Sequence, residues 1–285
     1  MKQCKNFLII ANDTKDVDLT ISMRLKDIVE ASGGTASVIS GGDYSDRHID
    51  PEVMKDIDCA VIMGGDGTML RASHSIEDYD VPMIGVNLGT VGFLAEVTKE
   101  EMETMVRRVM DGDYKIEDRI MVNGTVYRGD EIIADNLQAL NDAVIARESA
   151  LRLITVRISL NGNFFDEIEG DGIIIATPTG STGYNLSAGG PIVNPGARLL
   201  LMTPISPYSM CSRSVVFGAE DEIALEFIDK RKNGMDTGLM SFDGISNVIM
   251  KIGDVAKVKV SDKSLKFIKL DNSSVYQKLR RKLGG

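Results

Sequence analysis

Short apolar runs separated by polar, glycine-bearing turns organise the first third of the chain. Asn6 to Ala11 is a continuous apolar run with the length of a buried strand, and Asp18 to Ala31 follows helical spacing, with Ile21, Leu25, Ile28 and Val29 on one side. Gly33 and Gly34 stop that helix. Further strands are expected at Thr35 to Ile39, Cys59 to Met63 and Val81 to Asn87, the last followed by the glycine-bearing turn Asn87, Leu88, Gly89, Thr90. This β-α-β order predicts a parallel sheet. Lys99 to Gly112 is expected to be helical, with Met102, Val106, Val109 and Met110 as its apolar members.

The texture changes near Tyr114. Closely spaced strand-like stretches follow: Arg119 to Tyr127, Glu131 to Ala139, Ala143 to Ala146, Leu153 to Leu160, Gly172 to Ala176, Ser214 to Phe217, Glu222 to Ile228 and Val255 to Val260. Asn161 and Gly162 form a hairpin signal between two of them. The expected fold is an α/β N-terminal domain with a parallel sheet, residues 1–115, and a mostly β, sandwich-like C-terminal domain, residues 116–262. Residues 263–285 return to the first domain, where Phe267 and Leu270 complete its core and the basic end, with Lys278, Arg280, Arg281 and Lys282, frays.

Chemistry concentrates at three places on this frame. In CAVIMGGDGTML, residues 59–70, an apolar strand gives way to a helix through Gly64, Gly65, Asp66, Gly67 and Thr68. A glycine turn lets backbone approach a polyanion while the free N–H groups of the helix's first turn point at it. A carboxylate in such a turn is repelled by phosphate unless it binds a metal or takes a proton from a nucleophile, so Asp66 points to phosphoryl transfer.

The second place is DGIIIATPTGSTGYNLSAGGPIVNP, residues 171–195, where an apolar strand runs into a long row of small hydroxyl, amide and glycine residues. Such a row suits ribose hydroxyls and base edges, and Tyr184 is placed to stack. The third is Asn141 and Asp142, adjacent amide and carboxylate groups able to grip vicinal hydroxyls, with Arg152 able to balance a phosphate or carboxylate. His74 is read as a surface or interdomain residue with no catalytic part, and His48 lies in a polar loop.

Composition narrows the partners. A chain of 285 residues suggests two domains, and its formal charge of −10 argues against a nucleic-acid surface, which needs clustered Lys and Arg. The three cysteines, Cys4, Cys59 and Cys211, lack metal or dithiol spacing and read as reduced thiols. No apolar run approaches the ~18 residues of a membrane span, and a cytoplasmic location without membrane contact is expected.

The motifs GGDGT at 64–68, NDAVIAR at 141–147 and the 171–195 segment, in this order and spacing, closely resemble the NAD kinase family. The resemblance implies transfer of the γ-phosphoryl group of ATP to the 2′-hydroxyl of the adenosine ribose of NAD, with a divalent cation, Mg²⁺, giving NADP. It assigns Asp66 as the catalytic aspartate, Gly67 to phosphate, Arg71 to a position near NAD, and Asn141 and Asp142 to ribose hydroxyls. Arg152 and Asp171 fall at the pocket wall, and Thr182, Gly183, Tyr184, Asn185, Leu186 and Ser187 along the nucleotide groove. Family members form homodimers or homotetramers. The chain departs from the family pattern at Glu169, where a basic residue is usual, and at Ile245, where glutamine often follows an aspartate and a small residue. A lipid kinase of the diacylglycerol type shares the acidic glycine loop, and a non-catalytic NAD or NADP sensor would use the same binding residues; the TPTGST row gives no reason for a lipid substrate.

Overall fold

A computed structural model describes residues 3–40, 49–89, 92–149, 152–230 and 237–270. His48, Thr90 and the basic end with Lys278, Arg280, Arg281 and Lys282 lie outside the described residues. The chain divides into two compact units, Met1–Arg119 with Ser264–Gly285, and Ile120–Lys263.

The first unit is built on parallel strands β1 (Asn6–Ile10), β2 (Thr35–Ile39), β3 (Cys59–Met63) and β4 (Met83–Asn87), in the order β2-β1-β3-β4. Every residue of β3 and β4 is buried, as expected of strands covered on both faces, which read as unbroken apolar runs. Helix α1 (Thr20–Ala31) starts two residues later than its apolar spacing suggests. Leu19 adopts φ 54°, and the Asp16 carboxylate accepts the N–H groups of Ile21 and Ser22, capping the helix from outside. A short α2 (Pro51–Met54) follows, then α3 (Asp66–Ile76), a two-residue strand β5 (Val97–Thr98), a 3₁₀ turn at Lys99–Glu101 and α4 (Met102–Asp111).

Leu25, Val29, Val61, Ile84, Met105, Val106 and Val109 share the core of this unit. The end of the final strand, Asp254–Lys269, pairs in parallel with β4 through Phe267 and Met83. Ile268 enters this core and Leu270 packs against it. Phe267 is also buried, its ring 4.9 Å beneath the guanidinium of Arg119, itself held by Glu117. His74 is buried, with Nδ1 3.3 Å from Glu77 Oε2, because the α3 face that carries it turns inward; it is not the surface residue its polarity suggests.

The second unit contains strands β6 (Lys115–Arg128), β7 (Glu131–Ala139), β8 (Asp142–Arg147), β9 (Ile154–Leu160), β10 (Asn163–Gly170) and β11 (Gly172–Ala176). After the short α5 (Tyr184–Ser187) come β12 (Leu199–Ile205), β13 (Val215–Gly218), β14 (Ile223–Ile228), β15 (Thr237–Phe242), β16 (Ser246–Lys251) and β17 (Asp254–Lys269). The chain leaves the first unit within β6 and returns to it within β17. One antiparallel layer runs β10-β9-β14-β17, and the other runs β13-β12-β11-β8-β15-β16. Ile145, Ile175, Phe242, Val156, Phe227 and Val258, drawn from both layers, share one apolar core, so the unit is a β-sandwich. Asn161 and Gly162, at φ 50° and 80°, make the tight turn between β9 and β10.

Strand β11 sets the position of the hydroxyl-rich segment. Ile173 and Ile175 face the sandwich core, while Ile174 and Ala176 face the opposite way against Val144, Leu201 and the 177–197 segment. That segment is thereby laid over the outer face of the second layer.

Candidate active site

In the first unit, three turns leave the sheet at the carboxyl ends of neighbouring parallel strands β1, β3 and β4, the edge where open α/β sheets bind ligands. After β3, Gly64 donates its N–H to Val86 O at 2.8 Å. A β-carbon on Gly64 would stand 2.6 Å from Thr68 Cβ, so only glycine allows α3 to begin there. Thr68 is itself fixed by a 2.6 Å bond from Asn12 Nδ2. After β4, Asn87 and Gly89 close a second tight turn by reciprocal bonds of 2.9 and 3.0 Å.

After β1, Asn12 Oδ1 accepts the N–H groups of Thr14 and Lys15 and fixes the loop that carries Lys15. The Lys15 ammonium lies 3.5 Å from where a β-carbon of Gly65 would be and 3.3 Å from the same point on Gly89. A cation between two glycine turns, beside the amino end of a helix, is an electropositive seat for phosphate. Lys15 belongs to no motif in the sequence because only the fold brings residue 15 to positions 65 and 89.

Asp66 opens α3. Its Oδ2 accepts the Phe93 N–H at 2.8 Å and its Oδ1 accepts the Leu94 N–H at 3.0 Å. Gly67 is exposed, and Arg71, exposed one turn further on, reaches to 4.0 Å from a β-carbon placed on Gly67.

In the second unit, Asn141 and Asp142 stand at the start of β8. Gly183 is the residue they flank: a β-carbon there would lie 3.7 Å from Asn141 Nδ2 and 4.0 Å from Asp142 Oδ2. Gly180 is pressed so closely on the Asn141 carbonyl that a β-carbon would overlap it. Asp142 is buried, and burial together with the neighbouring Asp243 carboxylate pushes its pKa up to about 7. Thr182 and Leu186 are partly buried, and Tyr184 and Ser187 are exposed.

Asn185 departs from the expected row. It is fully enclosed; its Nδ2 donates to Ser181 O and Pro191 O, and its Oδ1 accepts from Thr203 Oγ1 at 2.7 Å. With every polar atom engaged inside the unit, Asn185 braces the loop rather than lining a groove. Asp171 forms a 2.6 Å ion pair with Arg147 Nε, and Arg147 Nη1 reaches Ser149 O at 2.7 Å. Arg147 thus holds Asp171 in an ion pair that its place at the end of NDAVIAR does not announce, while Arg152 is exposed. Among the described residues, no three His, Cys, Asp or Glu side chains gather into a metal-holding set.

An acidic glycine turn at the carboxyl edge of a parallel sheet, and a β-sandwich dressed with a hydroxyl-rich loop, define a two-unit nucleotide-binding α/β and β protein. The family description "ATP-NAD kinase N-terminal domain" matches residues 21–114, and "ATP-NAD kinase C-terminal domain" matches residues 140–270. The chain belongs to the NAD kinase family. It is 38% identical over 282 residues to an NAD kinase of Lachnoclostridium phytofermentans, covering 98% of this chain and 99% of that protein. It is 34% identical over 280 residues to an NAD kinase of Acetivibrio thermocellus, covering 96% of each.

Two solved structures share the fold. Yeast NADH kinase complexed with NADH superposes with a TM-score of 0.84 at 23% identity, covering all of this chain and 88% of that one. An NAD kinase from Archaeoglobus fulgidus in complex with ATP gives 0.77 at 22% identity, covering 98% of each.

Proposed function

We propose that this protein is an NAD kinase, transferring the γ-phosphoryl group of ATP to the 2′-hydroxyl of the adenosine ribose of NAD to give NADP. The observation that carries the reading is the placement of Asp66 in a glycine turn at the carboxyl edge of the parallel sheet, in a chain whose relatives over nearly its full length are NAD kinases. A carboxylate has about four lone-pair positions. With Phe93 and Leu94 using two, Asp66 can still accept a hydrogen bond from the attacking hydroxyl, orient it and take its proton as the bond to phosphorus forms.

Lys15, with the backbone of Gly65, Gly67 and Gly89, is read as the seat of transferring phosphate, and Arg71 as a contact at its margin. Asn141 and Asp142 hold ribose hydroxyls, Asp171 with Arg147 and Arg152 form the wall, and Thr182, Gly183, Tyr184, Leu186 and Ser187 line the groove. The divalent cation, Mg²⁺, enters on the ATP phosphates as part of the substrate, where it neutralises charge; the protein's own work is positioning. A cytoplasmic homo-oligomer, dimer or tetramer, that uses neither nucleic acid nor membrane completes the reading. Among the described residues, no helix is long and apolar enough to cross a membrane.

The test is direct: purified protein is incubated with ATP, Mg²⁺ and NAD, and NADP is measured. NADP formation is the expected result. NAD binding without turnover would favour a sensor, and phosphorylation of diacylglycerol instead would overturn the reading.

A further inference from the structure

The turn that presents Asn141 and Asp142 is held from a residue about a hundred positions away in sequence. Asp243 Oδ2 accepts the Leu140 N–H at 2.7 Å, and its Oδ1 accepts the N–H groups of Asn141 and Asp142 at 2.8 and 3.1 Å. Its own N–H donates to Asp142 O at 3.0 Å. Asp243 itself is buried and sits at φ 54°, a left-handed conformation that Asp and Asn tolerate better than most residues. On the other side of the turn, Thr177 Oγ1 donates to Leu140 O at 2.6 Å, and Thr177 N–H donates to Asn141 O at 2.8 Å.

Three consecutive amides converging on one carboxylate leave the backbone of residues 140–142 little freedom, so the direction in which two adjacent side chains leave it is set by Asp243. We propose that Asp243 is a positioning residue of the dinucleotide site, acting through the Asn141–Asp142 pair without touching the substrate. This rests on the reading that the pair holds ribose hydroxyls. A buried carboxylate placed beside another is unfavourable unless it is compensated; here the compensation is the three amides on Asp243, and the repulsion falls on Asp142. A residue serving stability alone would not need its charge next to a second acid.

The experiment measures kcat and KM for NAD, together with melting temperature, in Asn141→Ala, Asp142→Asn, Asp243→Asn, the double variant Asn141→Ala with Asp142→Asn, and the triple variant that adds Asp243→Asn to it. The Asp243→Asn change keeps the tolerance for positive φ but sets an NH₂ group against at least one backbone N–H. The expected result is an NAD KM raised about tenfold or more by Asp243→Asn with kcat changed much less, the signature of lost substrate binding. The triple variant is expected to bind NAD no worse than the Asn141→Ala with Asp142→Asn variant, within about twofold, because a residue that acts through a pair adds nothing once both members are gone.

An unchanged KM for Asp243→Asn with a lowered melting temperature, or a triple variant whose NAD KM rises well above that of the double variant, would overturn the proposal. If Asn141→Ala and Asp142→Asn both leave the NAD KM unchanged, the assignment of the pair to the dinucleotide fails first and the proposal falls with it. Should Asp243→Asn not fold, Asp243→Gly, which adopts the same backbone without strain, carries the same expectations.

Discussion

Phe93 donates its backbone N–H to Asp66 Oδ2 at 2.8 Å, and Leu94 reaches the other oxygen at 3.0 Å, so the acid of the glycine turn is tied to the chain that follows β4. Gly92, next in that chain, lies where a β-carbon would stand 2.5 Å from Asp66 Cγ. Gly92→Ala must therefore displace the carboxylate or the segment. Overpacking of this kind costs about 1–3 kcal/mol, and displacement of a reacting group by about 1 Å costs about a hundredfold in rate. Gly92→Ala is expected to lower the melting temperature by several degrees and turnover by about two orders of magnitude, measured on the same preparation. Gly67→Ala, with nothing but Arg71 Nη1 at 4.0 Å, is expected to leave the melting temperature unchanged or slightly raised.

Replacement of Lys15 is expected to separate donor from acceptor binding. Replacing it with alanine removes a cation from between Gly65 and Gly89 and touches no core residue. The KM for ATP is expected to rise about tenfold, with the KM for NAD within about twofold of the parent and the melting temperature unchanged. Equal loss for both substrates in steady-state kinetics would place Lys15 elsewhere in the reaction.

Asp142 predicts a pH dependence whose sign is fixed by the direction of its shift. Its folded-state pKa of about 7 lies above its ordinary value near 4, so between those limits the folded protein holds a proton that the unfolded chain releases. The stability Asp142 contributes is complete below about pH 4 and is lost as pH rises through about 7. Asp142→Asn cannot release that proton. Without nucleotide, its melting temperature is expected to fall less than that of the parent between pH 5 and pH 8, with the two diverging upward of about pH 4. Parallel melting curves across that range would contradict the assignment.

How far the sequence carries the fold depends on where each strand lies. β3 and β4 are buried on both faces and end in glycine turns, so an unbroken apolar run followed by Gly64 or by Leu88 and Gly89 announces them. β12 is hidden by Pro204, which sits inside the strand opposite Ile173 and argues against a strand in any local reading. β10 lies at the edge of its layer with Phe164 and Phe165 exposed among polar residues, so its alternation carries no burial signal. β15 owes its definition to pairing with β8 on one side and β16 on the other, and β16 to pairing with β15.

The candidate site divides in the same way. Asp66, Asn141 and Gly183 are legible because each lies inside a short local motif. Lys15, Arg147 and Asp243 are not, because their partners are brought near only by the fold. Asn185 shows the converse limit: a small amide in a polar loop serves equally to grip a ligand or to brace the loop, and only its enclosure distinguishes the two.

Asp66 is the residue on which the catalytic account turns. The most direct measurement compares wild-type protein with Asp66→Asn for NADP formation from ATP and NAD, alongside NAD affinity by calorimetry and melting temperature. Turnover is expected to fall roughly 10²–10⁴-fold with NAD affinity within about tenfold of the parent, and melting temperature to fall modestly because the new NH₂ group faces the N–H of Phe93 or Leu94. NADP formation undiminished by Asp66→Asn, or turnover and NAD affinity lost in equal measure, would contradict the catalytic role of Asp66.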